Sequence, residues 1–281
     1  MLMHLYVGGD AMSDSIDEIE IRKAVKDRYS KLANMKSCCG RGEYASRIGY
    51  TKEEISMLPG EALEVSAGCG NPTAIAGLKP GETVLDLGSG GGIDVFLSAR
   101  MVGPEGKAIG IDATPEMVWK ARKAAKEMGI ANVEFRLGEI ECMPVESNTI
   151  DVVISNCVIN LSPDKGKVFR EAFRVLKPGG RIAVSDMVLT QELSADEREK
   201  LRFWASCIGG AIPLQEYIEK MTEAGFTDIN IESKHVYTIE ELAYMLGEPS
   251  GCGCGAPMPV GLGSDGELSK VASVRITAIK R

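Results

Sequence analysis

Apolar and polar positions change their period partway along this chain. Residues 14–33 (DSIDEIEIRKAVKDRYSKLA) place apolar side chains at helical spacing, which predicts an amphipathic helix. A loop, SCCGRG, follows, and the run from Thr51 to Glu54 matches a capping box that opens a short helix. From residue 83 the period becomes a βα alternation. TVLDLG (83–88) reads as a strand, Gly92 to Val102 as a helix, and KAIGID (107–112) as a second strand. Thr114 is an N-cap with Pro115 at the first helical position, and Gly129 ends that helix. VEFRLGE (133–139) and IDVVIS (150–155) are strands three and four. A helix over about 165–176 is stopped by Lys-Pro-Gly-Gly, and RIAVSDMVL forms strand five. Helices over 195–208 and 213–224, a strand near 228–236, a short helix at 239–246 and a last strand over 271–280 complete the pattern. Between the last two lies GEPSGCGCGAPMPVGLGSDG, an irregular loop rich in glycine and proline.

Such alternation implies an α/β fold, a mainly parallel sheet with helices on both faces. The expected organisation is an N-terminal helical segment with thiols over 1–72, a core over 73–227, and C-terminal strands with a cysteine- and glycine-rich loop over 228–281. A length of 281 residues suits one large domain with extras, and 44% hydrophobic with 26% charged residues is ordinary for a globular chain. The net charge of −8 argues against nucleic acid as a partner, since phosphate binding needs a basic face. The opening MLMHLYVGGD has neither a basic region nor a long apolar one, so it does not read as a signal peptide. No apolar run approaches the ~18 residues of a membrane helix. The expectation is a cytoplasmic monomer with no membrane partner.

DLGSGGG (86–92) leaves the first strand and opens the first helix, where a dinucleotide phosphate loop would lie. Its glycines, Gly88, Gly90 and Gly92, are spaced G-x-G-x-G, and Ile93 stands where the dinucleotide fingerprint has its last glycine. Asp112 ends the second strand, and a carboxylate there can accept both hydroxyls of a ribose. A nucleoside ligand without a pyrophosphate fits both facts, and S-adenosylmethionine is the commonest of these in this architecture.

Eight cysteines in a cytosolic chain have little reason to form staples. No C-x-x-C is present, so zinc-finger and thioredoxin patterns are absent. Any one thiol could be a small buried hydrophobe, and Cys142 is read that way, as structural. Cys157 directly follows Asn156 at the exit of strand four, where open α/β sheets bind ligands. Cys207 precedes two glycines in the helix after strand five. The two histidines, His4 and His235, lie away from the predicted site loops. Two thiols without a base suggest an acceptor that already has a lone pair and binds sulfur, a soft element.

Asp86, Gly88, Gly90 and Asp112 resemble the first motif and following acidic residue of class I S-adenosylmethionine-dependent methyltransferases. GEIECMP (138–144) resembles the family's adenine-contacting turn, with Glu139 and Ile140 at the contact positions. The implied fold is a Rossmann-like methyltransferase sheet, mostly parallel with an antiparallel last strand, carrying an N-terminal helical lid and a short C-terminal extension. SNCVINLSPDK (155–165), ASCIGGA (205–211) and SAGCGNP (66–72) narrow the resemblance to arsenite S-adenosylmethionine methyltransferases. That resemblance implies As(III) held at Cys69, Cys157 and Cys207, with Cys39 or its neighbour Cys38 as the remaining N-terminal thiol. It implies arsenite and methylarsenite as substrates. It further implies a thiol disulfide formed when arsenic is re-reduced, and a thioredoxin- or glutathione-type reductant to reset it. Cys252 and Cys254 fit metalloid capture or a plain loop. Two rival readings are a methyltransferase of a quinone- or sterol-like molecule and a thiol-based metalloid sensor. Neither accounts for both an intact glycine loop and cysteines on separate segments.

Overall fold

The computed structural model describes residues 18–34, 45–46, 48–65, 68, 70–194, 206–238 and 268–281, with side chains for all of these except 206, 207 and 268. Its helices are α1 (Glu18–Asn34), α2 (Lys52–Ser56), α3 (Gly60–Glu64), α4 (Thr73–Ala76), α5 (Ile93–Val102), α6 (Pro115–Met128), α7 (Lys165–Val175), α8 (Ser206–Gly209) and α9 (Leu214–Glu223). Its strands are β1 (Thr83–Leu87), β2 (Lys107–Asp112), β3 (Val133–Leu137), β4 (Ile150–Asn156), β5 (Leu176–Leu189), β6 (Thr227–Thr238) and β7 (Leu268–Ile279).

All seven strands join one sheet in the order β3-β2-β1-β4-β5-β7-β6. The first five run parallel, and β7 is antiparallel to both its neighbours. The expected mixed sheet is therefore present, and the C-terminal strands complete it. Apolar runs such as Val84, Leu85 and Leu87, or Val152 to Ile154, are buried because helices cover both faces. On one face α5 and α6 pack against Ala108 and Phe135, with Tyr50, Leu58 and Ala62 of the N-terminal segment. On the other, Phe169 of α7 and Tyr217 of α9 meet edge to face with centroids 5.2 Å apart over the β4–β5 side.

Local chemistry sets the element ends. Thr51 accepts from the Glu54 amide at 3.1 Å while Glu54 Oε2 accepts from the Thr51 amide at 2.7 Å, the capping box read from the sequence. Gly129 closes α6 in a left-handed conformation, φ 65°. Several boundaries differ from expectation. β3 stops at Leu137, so Gly138 and Glu139 belong to the turn after it. α7 stops at Val175, before the Lys-Pro-Gly-Gly run, because Leu176 is pulled fully into the core as the first residue of β5. The helix expected over 195–208 is described only at its end, and the expected helix at 239–246 and the loop after it lie outside the described residues.

One buried polar node joins the second face to the strand ends. Asp186 of β5, with no exposure, accepts from Asn160 Nδ2 at 2.9 Å, from the Met187 amide at 2.9 Å and from the Tyr217 hydroxyl at 3.2 Å. Burial raises its pKa to about 7, partly offset by these donors and by the nearby Lys165 ammonium. The folded state thus holds a proton that the unfolded state releases near 3.8, and the associated stability is lost as pH rises toward 7. Asp186→Asn keeps one acceptor oxygen and cannot titrate. Denaturation midpoints of the native chain should therefore fall relative to the variant between about pH 4 and pH 7, then run parallel to them. A constant difference across that range would show that Asp186 is ionised throughout.

Candidate active site

The strand order reverses between β1 and β4, and the carboxyl ends of these strands open a crevice there. A cavity at that point is lined by the β1–α5 turn, the end of β2, the turn after β3, the end of β4 and α1. Asp86, Gly88, Gly90, Asp112, Glu139, Ile140, Asn156 and Cys157, all expected from the sequence, line it. A Cβ at Gly90 would meet no atom within 4 Å, so the loop leaves open space over its backbone. Gly92 does not line the cavity. It caps α5 at φ 93°, and a Cβ there would come within 2.8 Å of the Phe135 ring. Its glycine is required by backbone geometry and packing against β3.

Asp112 holds the glycine loop as well as facing the cavity. Its Oδ2 accepts from the Gly90 amide at 2.9 Å and its Oδ1 from the Thr114 amide at 2.8 Å. Burial raises its pKa, and these amide bonds pull it back. Asp86, almost fully buried, is raised well above the usual range by burial and then by its neighbours Asp94 and Asp112. Three carboxyl groups share this end of the cavity.

Asn156 does more than line the wall. Its Nδ2 donates to the Gly70 carbonyl at 2.7 Å, to the Tyr50 hydroxyl oxygen at 3.0 Å and to Asp94 Oδ2 at 3.2 Å. Its Oδ1 accepts from the Gly70 amide at 3.2 Å. Tyr50 in turn donates to Asp94 Oδ1 at 2.8 Å. Burial raises Asp94 to about 6 against the pull of the Tyr50 and Asn156 bonds. Tyr50 and Asp94 were not anticipated, because a lone tyrosine beside a capping box and an aspartate one residue into a helix carry no distinguishing local pattern.

Cys157 follows at φ 59°, a conformation rare for a residue with a Cβ, and is 3% exposed. Its amide donates to the Ser185 carbonyl at 2.8 Å. Its sulfur is in a disulfide, so a second cysteine sulfur stands at bonding distance. Cys142 is free and exposed, which corrects its reading as a packed structural thiol. Cys38, Cys39, Cys69, Cys252 and Cys254 lie outside the described residues, and Cys207 is described only as backbone of α8. Among the described residues no three His, Cys, Asp or Glu side chains gather as a metal site. His235 is exposed against Tyr237.

A family profile described as Methyltransferase domain matches residues 78–243. Arsenite methyltransferase from Halobacterium salinarum is 41% identical over 236 residues, covering 78% of this chain and 60% of that one. Arsenite methyltransferase from Aquipseudomonas alcaligenes is 34% identical over 243 residues, covering 81% of this chain and 69% of that one. The chain belongs to the arsenite methyltransferase family. The crystal structure of an arsenic(III) S-adenosylmethionine methyltransferase from Chlamydomonas reinhardtii superimposes with a TM-score of 0.60 at 31% identity, covering 85% of this chain and 73% of that chain.

Within this arsenite methyltransferase family member, Glu139 and Ile140 of the turn after β3 line the cavity as expected from the sequence, and the turn carries a second acid. Glu139 is 35% exposed and pairs with Lys26 of α1 at 2.5 Å. The buried carboxylate of the turn is Glu141, which sequence reading passed over. Its Oε1 accepts from Ser162 Oγ at 2.7 Å and pairs with Arg22 of α1 at 2.9 Å. Both partners are remote in sequence, so nothing local marked it.

The Asn156 node predicts a local effect. Asn156→Ala should leave the sheet folded, yet speed hydrogen exchange at the Gly70 amide by at least about tenfold, the loss of one bond of roughly 1.5 kcal/mol. Unchanged exchange at Gly70 would show that other contacts hold this segment.

Proposed function

We propose that this protein transfers the methyl group of S-adenosylmethionine to As(III) held by its cysteine thiolates, giving methylated arsenicals. The observation that carries the proposal is Cys157: a buried cysteine in a strained turn, bonded to a second cysteine sulfur, on the wall of the cavity, where reduction of that disulfide would free two thiols side by side for arsenite. Such strain tends to mark functional positions.

The cavity suits the methyl donor. Gly90 leaves room for it, Asp112 offers ribose hydroxyls the unused lone pairs of its carboxylate, and Ile140 gives the base an apolar wall. When bound there, S-adenosylmethionine supplies an electrophilic methyl group to the lone pair of arsenic. The protein's own residues do the positioning. Each thiol that binds arsenite forms one sulfur–arsenic bond and releases one water. Arsenic is itself the nucleophile, so no general base is needed and the contribution of the site is orientation.

Chain connectivity supports convergence of the thiols. Gly68 and Gly70 flank position 69; a Cβ on Gly70 would overlap the Ser185 hydroxyl, and one on Gly68 would come within 2.5 Å of the Asn156 amide. Asn156 and Ser185 are the residues that flank and bond Cys157. A Cβ on Gly210 would overlap the Asn160 carbonyl, and Ile208 packs with Cys157. The motif glycines at these places thus let the backbones next to Cys69 and Cys207 approach the strand end. Cys157 and Cys207 hold arsenic at the donor. Cys69 supplies a third ligand, and with Cys39 or Cys38 the electrons that return pentavalent arsenic to As(III). The resulting disulfide is reset by a thioredoxin- or glutathione-type reductant in the cytoplasm, and the working unit is a monomer.

Mass spectrometry of a reaction with arsenite, S-adenosylmethionine and a thiol reductant should show methylated arsenic; its absence removes the proposal. Cys157→Ser should abolish methylation of both arsenite and monomethylarsenite. Cys69→Ser should severely impair only the first, because monomethylarsenite has one position blocked by carbon and needs two thiolates. Equal loss on both substrates would sink this division of roles.

The donor site has its own test. Asp112→Ala should weaken S-adenosylmethionine binding roughly 10- to 100-fold by calorimetry, since it removes hydrogen bonds to a charged group and loosens the Gly90 amide. An unchanged dissociation constant would take Asp112 out of the site.

A further inference from the structure

We infer that Asn160 is a positioning residue for the arsenic site: its side chain and its carbonyl together set the distance between the turn that carries Cys157 and the helix that carries Cys207. The inference rests on the proposed reading of those two cysteines as the pair that holds arsenic. Asn160 stands three residues beyond Cys157, in a 3₁₀ turn over Ile159–Leu161, and is 2% exposed. Its Nδ2 directs both hydrogens at β5, donating to Asp186 Oδ1 at 2.9 Å and to the Met187 carbonyl at 2.5 Å. Asp186 adjoins Ser185, whose carbonyl takes the Cys157 amide, so the turn is pinned to β5 at both its ends. The main-chain oxygen of Asn160 meets the other segment. Gly210, one residue past α8, lies so close that a Cβ there would overlap this oxygen. Lys165 Nζ of α7 donates to the same carbonyl at 3.4 Å and to that of Ser162 at 3.1 Å. One residue therefore joins β5, α7 and the end of α8.

A stabilising role alone does not explain the choice of residue. Asn160 Oδ1 is buried and takes no donor among the described residues, a desolvation cost that an apolar side chain of similar size would not carry. What only the amide provides is two directed bonds to successive residues of one strand, which fix an angle as well as a distance. Two thiols capture one arsenic only where their sulfurs lie along two of its bonds, each contact forming a sulfur–arsenic bond and releasing water. An error of about 1 Å in either backbone is then felt directly in capture.

Phenylarsenite, with one arsenic position blocked by carbon, is the probe for a pair of thiols. The reduced full chain is titrated with it and then alkylated, and peptide mass spectrometry reads the concentration that protects Cys157 and Cys207, with exposed Cys142 as the internal control. The native chain should protect both cysteines in parallel. Asn160→Ala should need at least about tenfold more probe, the worth of its lost bonds. Gly210→Ala should show the same defect from the other side, with the Asn160 amide intact. Asp186→Asn, which keeps the accepting oxygen, should protect at the native concentration. S-Adenosylhomocysteine, followed by calorimetry, should bind all three variants as it binds the native chain. A merely structural Asn160 would weaken both ligands together or neither, and either result overturns the inference. So does native-like protection in Gly210→Ala, or a loss in Asp186→Asn equal to that in Asn160→Ala. Absent or unpaired protection of Cys157 and Cys207 in the native chain would instead overturn the reading of the arsenic pair on which this inference rests.

Discussion

The side-chain amide of Asn156 ties separate parts of the chain to one strand end. It brackets Gly70 through both amide and carbonyl, and it touches Tyr50 and Asp94 at 3.0 and 3.2 Å. Because β4 is a central strand, fixed between β1 and β5 by ladder bonds, that amide is a rigid point. Gly70 itself lies outside any helix or strand. Anchored to Asn156, it inherits the precision of the sheet. The next residue, Cys157, leaves in a left-handed conformation, costing on the order of 1–3 kcal/mol that the burial and the Ser185 bond offset.

The electrostatics of the cavity follow from the same crowding. Asp86, Asp94 and Asp112 stand together with little solvent, and burial raises all three. A cationic ligand relieves this repulsion more than a neutral one. The methyl donor carries a sulfonium that becomes a neutral thioether after transfer, so these carboxylates favour the donor over its product. That preference stabilises the ground state and does not lower the barrier of the transfer itself. It leaves the rate to the placement of the acceptor. A fold that invests in rigid anchoring at Asn156 suits a nucleophile needing only orientation.

Much of this architecture is legible in the sequence because it is written locally. The βα alternation, the capping box at Thr51 and the Gly129 cap each depend on residues within one turn, and each is present in the structure. The glycine loop, Asp112 and the strand-four exit are also local signals, and they meet in the cavity. What the sequence hides is partnership across distance. Glu141 and Glu139 are two residues apart and chemically alike. Arg22 reaches both, at 2.9 Å and 3.8 Å, but Ser162 donates only to Glu141 while Lys26 pairs with Glu139. Gly92 looks like a member of the ligand loop, yet its constraint comes from a phenylalanine on β3. Leu176 looks like a helix end, yet burial recruits it to a strand.

Helix α1 shows why the site is spread along so much of the chain. Its Arg22 and Lys26 both reach the turn after β3, and Tyr29 packs beside Val65 and Met117. The pairing of Arg22 with a nearly buried Glu141 differs in kind from that of Lys26 with a half-exposed Glu139. The exposed pair contributes little to stability, being screened by water. The buried one is strongly coupled to its partner, because removing either charge strands the other. Docking of α1 therefore reaches the cavity through both glutamates, Glu141 being the more buried of the two. An N-terminal helix remote in sequence from the sheet thus shapes the cavity wall through the turn after β3.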